Sequence, residues 1–251
     1  MTASDSISVG SDLSGQTVVV IGGSSGIGLE TARRASDEGA KVILTGRDSG
    51  RLEKAASELG ALSAAAFDAT QIEELETFLA GLPEPVDHVM VTAGGSYYAP
   101  LAEMDFAQVH RALDEHVLLP LEVARGVAGK VRPGGTLIFM TGTGARRPGI
   151  GLSVAAILDA ALPALTANLA LELAPIRVNL IAAGFVDTPL SAAVLGQDIE
   201  TRHQQLRATL PVRRVVEPTD VAALAVHLMT NSVLTGSTYD IDGGEQILPG
   251  A

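Results

Sequence analysis

The chain of 251 residues contains no cysteine, which excludes disulfide bonds and thiolate chemistry together. It also lacks any block of lysine or arginine. Acidic residues outnumber basic ones 29 to 17, and that surface argues against nucleic acid and anionic membrane as partners. The five histidines, His88, His110, His116, His203 and His227, are scattered, and no metal-ligand spacing occurs. No metal site is expected. Residues Met1 to Asp12 are polar and lack the basic and apolar regions of a secretory leader, so they read as a loose tail. Beyond them no repeat or low-complexity linker divides the chain, and residues 13–251 are expected to form one domain.

What is present is an apolar chain, 47% hydrophobic, long enough to bury one large core. Its most apolar window, Leu152 to Ala174, has the length of a membrane span, but Asp159, Pro163 and Asn168 interrupt it. A soluble cytoplasmic setting is the expectation. The stretch that organises the sequence is Val18-Val19-Val20-Ile21-Gly22-Gly23-Ser24-Ser25-Gly26-Ile27-Gly28. Four β-branched residues suit a strand buried on both faces, and the glycines that follow suit a tight turn opening into a helix. Gly22 takes the turn, Gly26 admits a pyrophosphate close to the backbone, and Gly28 lets the helix pack on the sheet. The free N–H groups of the first helical turn then face the phosphates. A second apolar run, Lys41 to Thr45, follows at the spacing of a βαβ unit.

The rest of the chain alternates in the same way. Helical periodicity covers Asp48 to Gly60, with Asp48 as N-cap, then Ile72 to Leu79, Phe106 to Lys130, Leu152 to Ala174 and Thr219 to Thr230. Strands are predicted at Ser63 to Phe67, Val86 to Val91, Gly134 to Thr141, Ile176 to Ile181 and Thr238 to Ile241. That pattern specifies an α/β fold of Rossmann type, a single doubly wound parallel sheet of seven strands with right-handed crossovers.

From about Gly15 to Ile247 the sequence resembles the short-chain dehydrogenase/reductases. The likeness rests on the glycine turn, on Ala93-Gly94 after the fourth strand, and on Glu172-Leu173-Ala174-Pro175-Ile176-Arg177-Val178-Asn179. It also rests on Gly184-Phe185-Val186-Asp187-Thr188 and Asp240-Ile241-Asp242-Gly243-Gly244. The resemblance implies a nicotinamide dinucleotide at the carboxyl ends of the strands, and hydride transfer to or from a small carbonyl, alcohol or activated alkene. By position, Gly22, Ser24, Ser25, Gly26, Ile27 and Gly28 would hold the pyrophosphate, and Asp68 and Ala69 the adenine. Ala93, Gly94 and Gly95 would lie along a ribose, with Thr141, Gly184, Val186 and Thr188 toward the nicotinamide. After the second strand Gly46 stands where a ribose-binding carboxylate would be, and Arg47 follows. A guanidinium pairs with a 2′-phosphate, so the expected cofactor is NADP(H).

The family's proton chemistry uses Asn, Ser and a Tyr-x-x-x-Lys pair, with the tyrosine as general acid or base. Here the matching positions are His116, Gly142, Ala155 and Asp159, and no tyrosine or lysine occurs anywhere from Val131 through Thr238. No shift of register restores the pair. The candidates left for proton transfer are His116, a residue type suited to it near neutral pH, and Tyr98 or its neighbour Tyr97. The catalytic candidate Thr141, with Thr143, is placed to hydrogen-bond a carbonyl oxygen and is not acidic enough to act unaided. Arg146 and Arg147 are candidates for attracting an anionic substrate, and Asp159 for accepting from ribose hydroxyls. Asp187 to Leu210 corresponds to the family's mobile lid, and its apolar residues suit a small hydrophobic ligand. The helix at Leu152 to Leu173, apolar on nearly every side, implies a homodimer or homotetramer, and Pro163 is expected to kink it. The functional expectation is an NADP(H)-dependent oxidoreductase working without the usual relay. The alternatives are a non-redox cyclase, isomerase or lyase, and an inactive nucleotide-binding module.

Overall fold

In the computed structural model the described residues are 13–95 and 97–248, so the polar tail 1–12 lies outside them. Seven strands form one parallel sheet in the order β3-β2-β1-β4-β5-β6-β7. They are β1 (Thr17–Ile21), β2 (Lys41–Gly46), β3 (Ser63–Ala66), β4 (Val86–Val91), β5 (Val131–Gly142), β6 (Arg177–Ala183) and β7 (Thr238–Ile241). β1, β4 and β6 are buried along their whole length, as strands covered on both faces must be. The chain order reverses between β1 and β4. There the loops after the two strands part and open a crevice at their carboxyl ends, which is where an open α/β sheet binds ligands.

One layer of helices holds α1 (Gly26–Asp37), α2 (Ser49–Leu59) and α9 (Pro218–Thr230) against Val18, Val20, Leu44 and Ile181. The opposite layer holds α3 (Ile72–Ala80), α5 (Leu119–Val127) and α6 (Ser153–Glu172) against Val19, Val89, Leu137 and Leu180. Alternate residues of each strand thus feed opposite cores, the two-residue period of a strand read on both faces. Asp48 caps α2 as expected: it accepts from the Arg51 N–H at 2.9 Å, and Gly60 closes the helix in the left-handed conformation.

One expectation needs correction and two others gain detail. The helix predicted over Phe106 to Lys130 is α4 (Phe106–Leu113), a single π-helical turn at Asp114–Leu118, then α5. An extra residue per turn is invisible to a 3.6-residue period. α6 is continuous through Pro163 to Glu172: Leu162 and Leu169 are buried in the core over the sheet and Val154 and Leu158 against Ala112 of α4, and that packing outweighs the lost N–H. The lid region is two helices, α7 (Pro189–Leu195) and α8 (Ile199–Thr209), with Thr188 and Ser191 forming a reciprocal cap at the start of α7. By length and composition α6 is also the one helix among the described residues apolar enough to cross a membrane. Here it lies in the core layer, with Ile157 and Leu171 turned outward.

Candidate active site

Two cavities meet at the carboxyl ends of β1, β4 and β5 and share Ile27, Thr92, Ala93, Gly94, Glu115 and Thr188. The first, about 380 Å³, is lined by Gly22, Ser24, Ser25, Gly26, Ile27, Gly28, Arg47, Asp68 and Ala69. The second, about 480 Å³, adds Gly95, Thr141, Gly184 and Val186, together with Tyr98 and His116. Apart from Asp159, every residue expected to hold a dinucleotide therefore borders this pair of cavities, and they come from six separate stretches of chain.

The glycine turn has the shape an anion needs. Gly22 has φ +99, and a Cβ on Gly28 would stand 2.3 Å from the Gly22 carbonyl oxygen, so α1 comes closer to the turn than any side chain permits. Ser25 at the N-cap of α1 makes no side-chain cap, and no acidic residue stands in the first turn. The amide groups of that turn receive no cap from the Ser25 side chain. At the other side Arg47 is exposed at the rim. The neighbouring carboxylate, Asp48, is occupied by the Arg51 N–H and by the Arg51 guanidinium at 3.1 Å. That N–H first, and the guanidinium with it, hold its carboxyl below the usual range.

Asp68 is less free than its position suggested. Its Oδ1 accepts from the Thr70 N–H at 3.1 Å and hydroxyl at 2.9 Å, while Oδ2 accepts from Arg111 Nη2 at 3.0 Å. Burial works to raise its pKa, and these three donors outweigh burial and hold it low. Arg111 in turn reaches Glu115 Oε1 at 2.9 Å. Glu115, only 8% exposed, accepts the Gly95 N–H on Oε2 at 2.8 Å. The adjacent residue, His116, meets the Gly95 carbonyl through Nε2 at 3.0 Å. Since a carbonyl only accepts, Nε2 carries the proton, and any exchange with a ligand falls to Nδ1. Both polar groups of Gly95 are thus clamped by successive residues of the π-helical turn. Gly94, at φ +137, lets the imidazole lie against it, for a Cβ there would be 3.2 Å from Cε1. Sequence reasoning found His116 but missed Glu115 and Arg111, because a glutamate within a helical pattern reads as solvated until the extra residue turns it inward.

Asp159, which the resemblance sets against one of the tetrad positions, is turned toward the loop after β5. Asp159 Oδ1 accepts from the Thr141 hydroxyl at 2.9 Å and the Gly142 N–H at 3.1 Å, and Oδ2 accepts from the Ala145 N–H at 3.2 Å. Burial pushes its carboxyl up, with the three donors opposing. The carboxylate therefore staples the loop after β5, and Asp159 does not line either cavity. That corrects the expectation of a ribose contact. Thr141 keeps its place at the cavity wall, but its hydroxyl proton is given to Asp159. Thr143 is fully buried, and its hydroxyl has no partner among the described residues.

Of the remaining candidates, Tyr98 lines the larger cavity and is half exposed, whereas the Tyr97 hydroxyl accepts the Asp105 N–H at 2.7 Å and lies outside it. Arg146 and Arg147 also lie outside it. Arg146 makes a two-pronged pair with Asp240 at 2.5 and 2.8 Å, and Arg147 Nη2 donates to the carbonyls of Glu245, Gln246 and Leu248. Both are spent on the β7 end of the chain. The lid contributes Leu190, Val194 and Leu195, as its composition suggested, and also Arg202, which pairs with Glu245.

The comparisons with known proteins agree with this geometry. A family model described as enoyl-(acyl carrier protein) reductase matches residues 21–246. Short-chain dehydrogenase/reductase ATR9 of Stachybotrys chlorohalonatus is 33% identical, over 92% of this chain and 96% of that protein. Among solved structures, the MalC reductase/Diels-Alderase of Malbranchea aurantiaca is 25% identical and superposes with a TM-score of 0.86, covering 94% of this chain and 98% of that one. BdcA in complex with NADPH is 26% identical with a TM-score of 0.83, covering 94% and 96%. With the sheet order, the glycine turn and the matched span together, the chain belongs to the short-chain dehydrogenase/reductase family of oxidoreductases.

Proposed function

We propose that the cleft binds NADP(H) and that the larger cavity holds a small, fairly apolar carbonyl, alcohol or alkene which is reduced or oxidised without a Tyr-Lys relay. The observation that carries this reading is the pairing of the glycine turn with Arg47 at the rim, where the adjacent carboxylate, Asp48, is already committed to Arg51. A 2′-phosphate would meet a guanidinium there and no free acid. BdcA, which shares the fold at 26% identity, is described with NADPH. The cofactor, when bound, supplies or takes the hydride.

The chain's own residues do the rest. The N–H groups at the start of α1 fix the phosphates. The Gly94-Gly95 wall, held on both sides by Glu115 and His116, sets the floor on which the reacting groups meet. Leu190, Val194 and Leu195 exclude water from above. For proton transfer, His116 Nδ1 and water take the place of the missing phenol, with Tyr98 the other ionisable group on the wall. Proximity alone corresponds to roughly 7 to 11 kcal/mol of barrier, against about 10²- to 10⁴-fold from one general acid, so hydride transfer survives the loss of the relay. The outer face of α6, with Ile157, Ala160, Ala164, Ala167 and Leu171, is the surface on which a homodimer or homotetramer would form.

A second reading has one specific support. MalC, which this chain resembles over nearly its whole length, is described as both reductase and Diels-Alderase. A cyclisation needs shape and orientation more than a proton relay, and this chain keeps the first and lacks the second. The test is NADPH fluorescence during turnover of a panel of aryl ketones, cyclic enones and their alcohols. Loss of fluorescence in step with product, slowed by His116→Ala, is the expected result. Silence across the panel, or product formed at equal rates with oxidised and reduced cofactor, would overturn redox chemistry in favour of the second reading.

A further inference from the structure

The wall of the larger cavity that faces away from the glycine turn carries one polar feature that neither the resemblance nor the cofactor reading uses. Glu245 begins a short turn after β7, and its backbone is pinned from two directions. Asp242 accepts the N–H groups of Gly244 at 2.8 Å and Gln246 at 2.9 Å, and Arg147 holds the Glu245 carbonyl at 2.9 Å. The side chain is fixed as well, because Glu245 Oε1 accepts from Arg202 Nη2 at 2.8 Å. Arg202 has little left to offer a ligand. Its Nη1 donates to Gln205 at 3.1 Å, and its guanidinium lies 5.8 Å from the centre of the Phe185 ring. Glu245 Oε2, in contrast, accepts no hydrogen bond from any described residue and stands 3.3 Å from where a Cβ on Gly184 would be. Glu245 and Gly184 both line the cavity.

A positioned carboxylate oxygen with no protein donor, on a wall that also carries Phe185, Leu190, Val194 and Leu195, is placed to accept a donor from whatever displaces water from the space. We propose that Glu245, oriented by Arg202, is the polar anchor of the substrate pocket: it accepts a hydrogen bond from a hydroxyl or N–H group on an otherwise apolar ligand and rejects ligands ending in a carboxylate. The charge balance of the cavity supports the second half. Its charged lining is Glu115, Glu245 and Arg202; Glu115 is paired with Arg111 outside the cavity lining, and Arg202 is already spent on Glu245. A second anion would find no free cation there. The inference rests on the reading that this cavity takes the substrate.

The experiment uses the full chain saturated with NADPH, and again without it, and three probes built on one bicyclic ketone: tetralone bearing a ring hydroxyl, a methoxy group or a carboxylate. Binding is measured by calorimetry, so no turnover is needed. On the unaltered protein the hydroxyl compound is expected to bind at least about 10-fold tighter than the methoxy compound. Glu245→Ala should bring the two within about 3-fold. Glu245→Gln keeps an acceptor and removes the charge, and should improve carboxylate binding by about 10-fold or more. Thermal melting of each variant checks folding, and Gln204→Ala, exposed on α8 and outside the cavity lining, should leave the order of affinities unchanged. Equal binding of hydroxyl and methoxy probes, no binding of any probe, or a preference that persists in Glu245→Ala overturns the proposal. NADPH binding to the same samples, read from nicotinamide fluorescence, reports separately on the cofactor. If it is absent while the hydroxyl preference holds, the cofactor reading fails and the anchor stands.

Discussion

The staple at Asp159 makes a prediction about what happens when the family's missing pair is put back. Ala155→Tyr with Asp159→Lys restores the sequence pattern, but the carboxylate removed is the one that accepts from Thr141, Gly142 and Ala145. A lysine there presents an ammonium to three donors. Hydrogen bonds to a charged group contribute about 1.5 to 3 kcal/mol each when buried, and Asp159 is only partly buried, so the lower end applies and the contacts are not additive. Loss of the staple should therefore cost about 2 to 4 kcal/mol, which for a chain of this size lowers Tm by roughly 5 to 15 °C. Thr141 and the loop after β5 lose their fixed position at the same time. The double variant is expected to melt early and to turn over no faster than the unaltered protein. Asp159→Asn separates geometry from charge: it keeps an acceptor for Thr141 and Gly142, gives up the Ala145 contact and removes a desolvated charge, so it should stay within about 1 kcal/mol of the parent. The Asp159 pKa is raised on folding, so its protonation favours the folded state at low pH and that advantage fades as pH rises through the folded value. Asp159→Asn should flatten that part of the pH profile. Differential scanning fluorimetry and NADPH oxidation read both outcomes. A double variant with unchanged Tm and turnover raised 100-fold would refute the reasoning, because it would mean that the relay's place was merely vacant.

Other consequences follow from single contacts. His88 is buried beside Arg177 and Arg132, and burial first, then those two charges, push its pKa down to about 3. Because the folded value lies below the unfolded one, stability should fall as pH drops from about 6.5 toward 3, by at most about 4 to 5 kcal/mol; acid unfolding of His88→Gln, compared with the parent, should show a shallower slope in that window. Gly28→Ala places a Cβ against the Gly22 carbonyl and should cost about 1 to 3 kcal/mol as overpacking, with NADPH affinity lost alongside Tm. Glu115→Ala releases the Gly95 N–H and leaves Arg111 with Asp68 alone; KM for the cofactor should rise several-fold with kcat also reduced, and Glu115→Gln, which can still accept from Gly95, should recover part of the loss.

Much of the fold could be read in advance because its signals are local. Val18 to Ile21 had to be a doubly covered strand, Asp48 had to cap a helix, and Thr238 to Ile241 came out with the bounds its β-branched ends implied. The rim of the cleft was legible for the same reason: glycines at Gly22, Gly26 and Gly28 leave few alternatives. The interior of the site was not. Whether Asp159 faced a ribose or the loop behind it depends on which side of α6 meets β5, and whether Glu115 is solvated or buried depends on one extra residue in a helical turn. Arg146 and Arg147 looked free in sequence because their partners, Asp240 and the carbonyls of Glu245 to Leu248, lie about a hundred residues away. Long-range charge pairing leaves no periodic trace.

The claim on which the account rests is that the nucleotide's seat is complete, with Arg47 choosing the phosphorylated form. Calorimetric titration of NADPH and NADH into the parent and into Arg47→Ala tests it. The account predicts one site per chain, NADPH bound at least about 10-fold tighter than NADH, and the difference abolished by the substitution. Absence of NADPH binding, or equal affinities for the two dinucleotides in the parent, would contradict it.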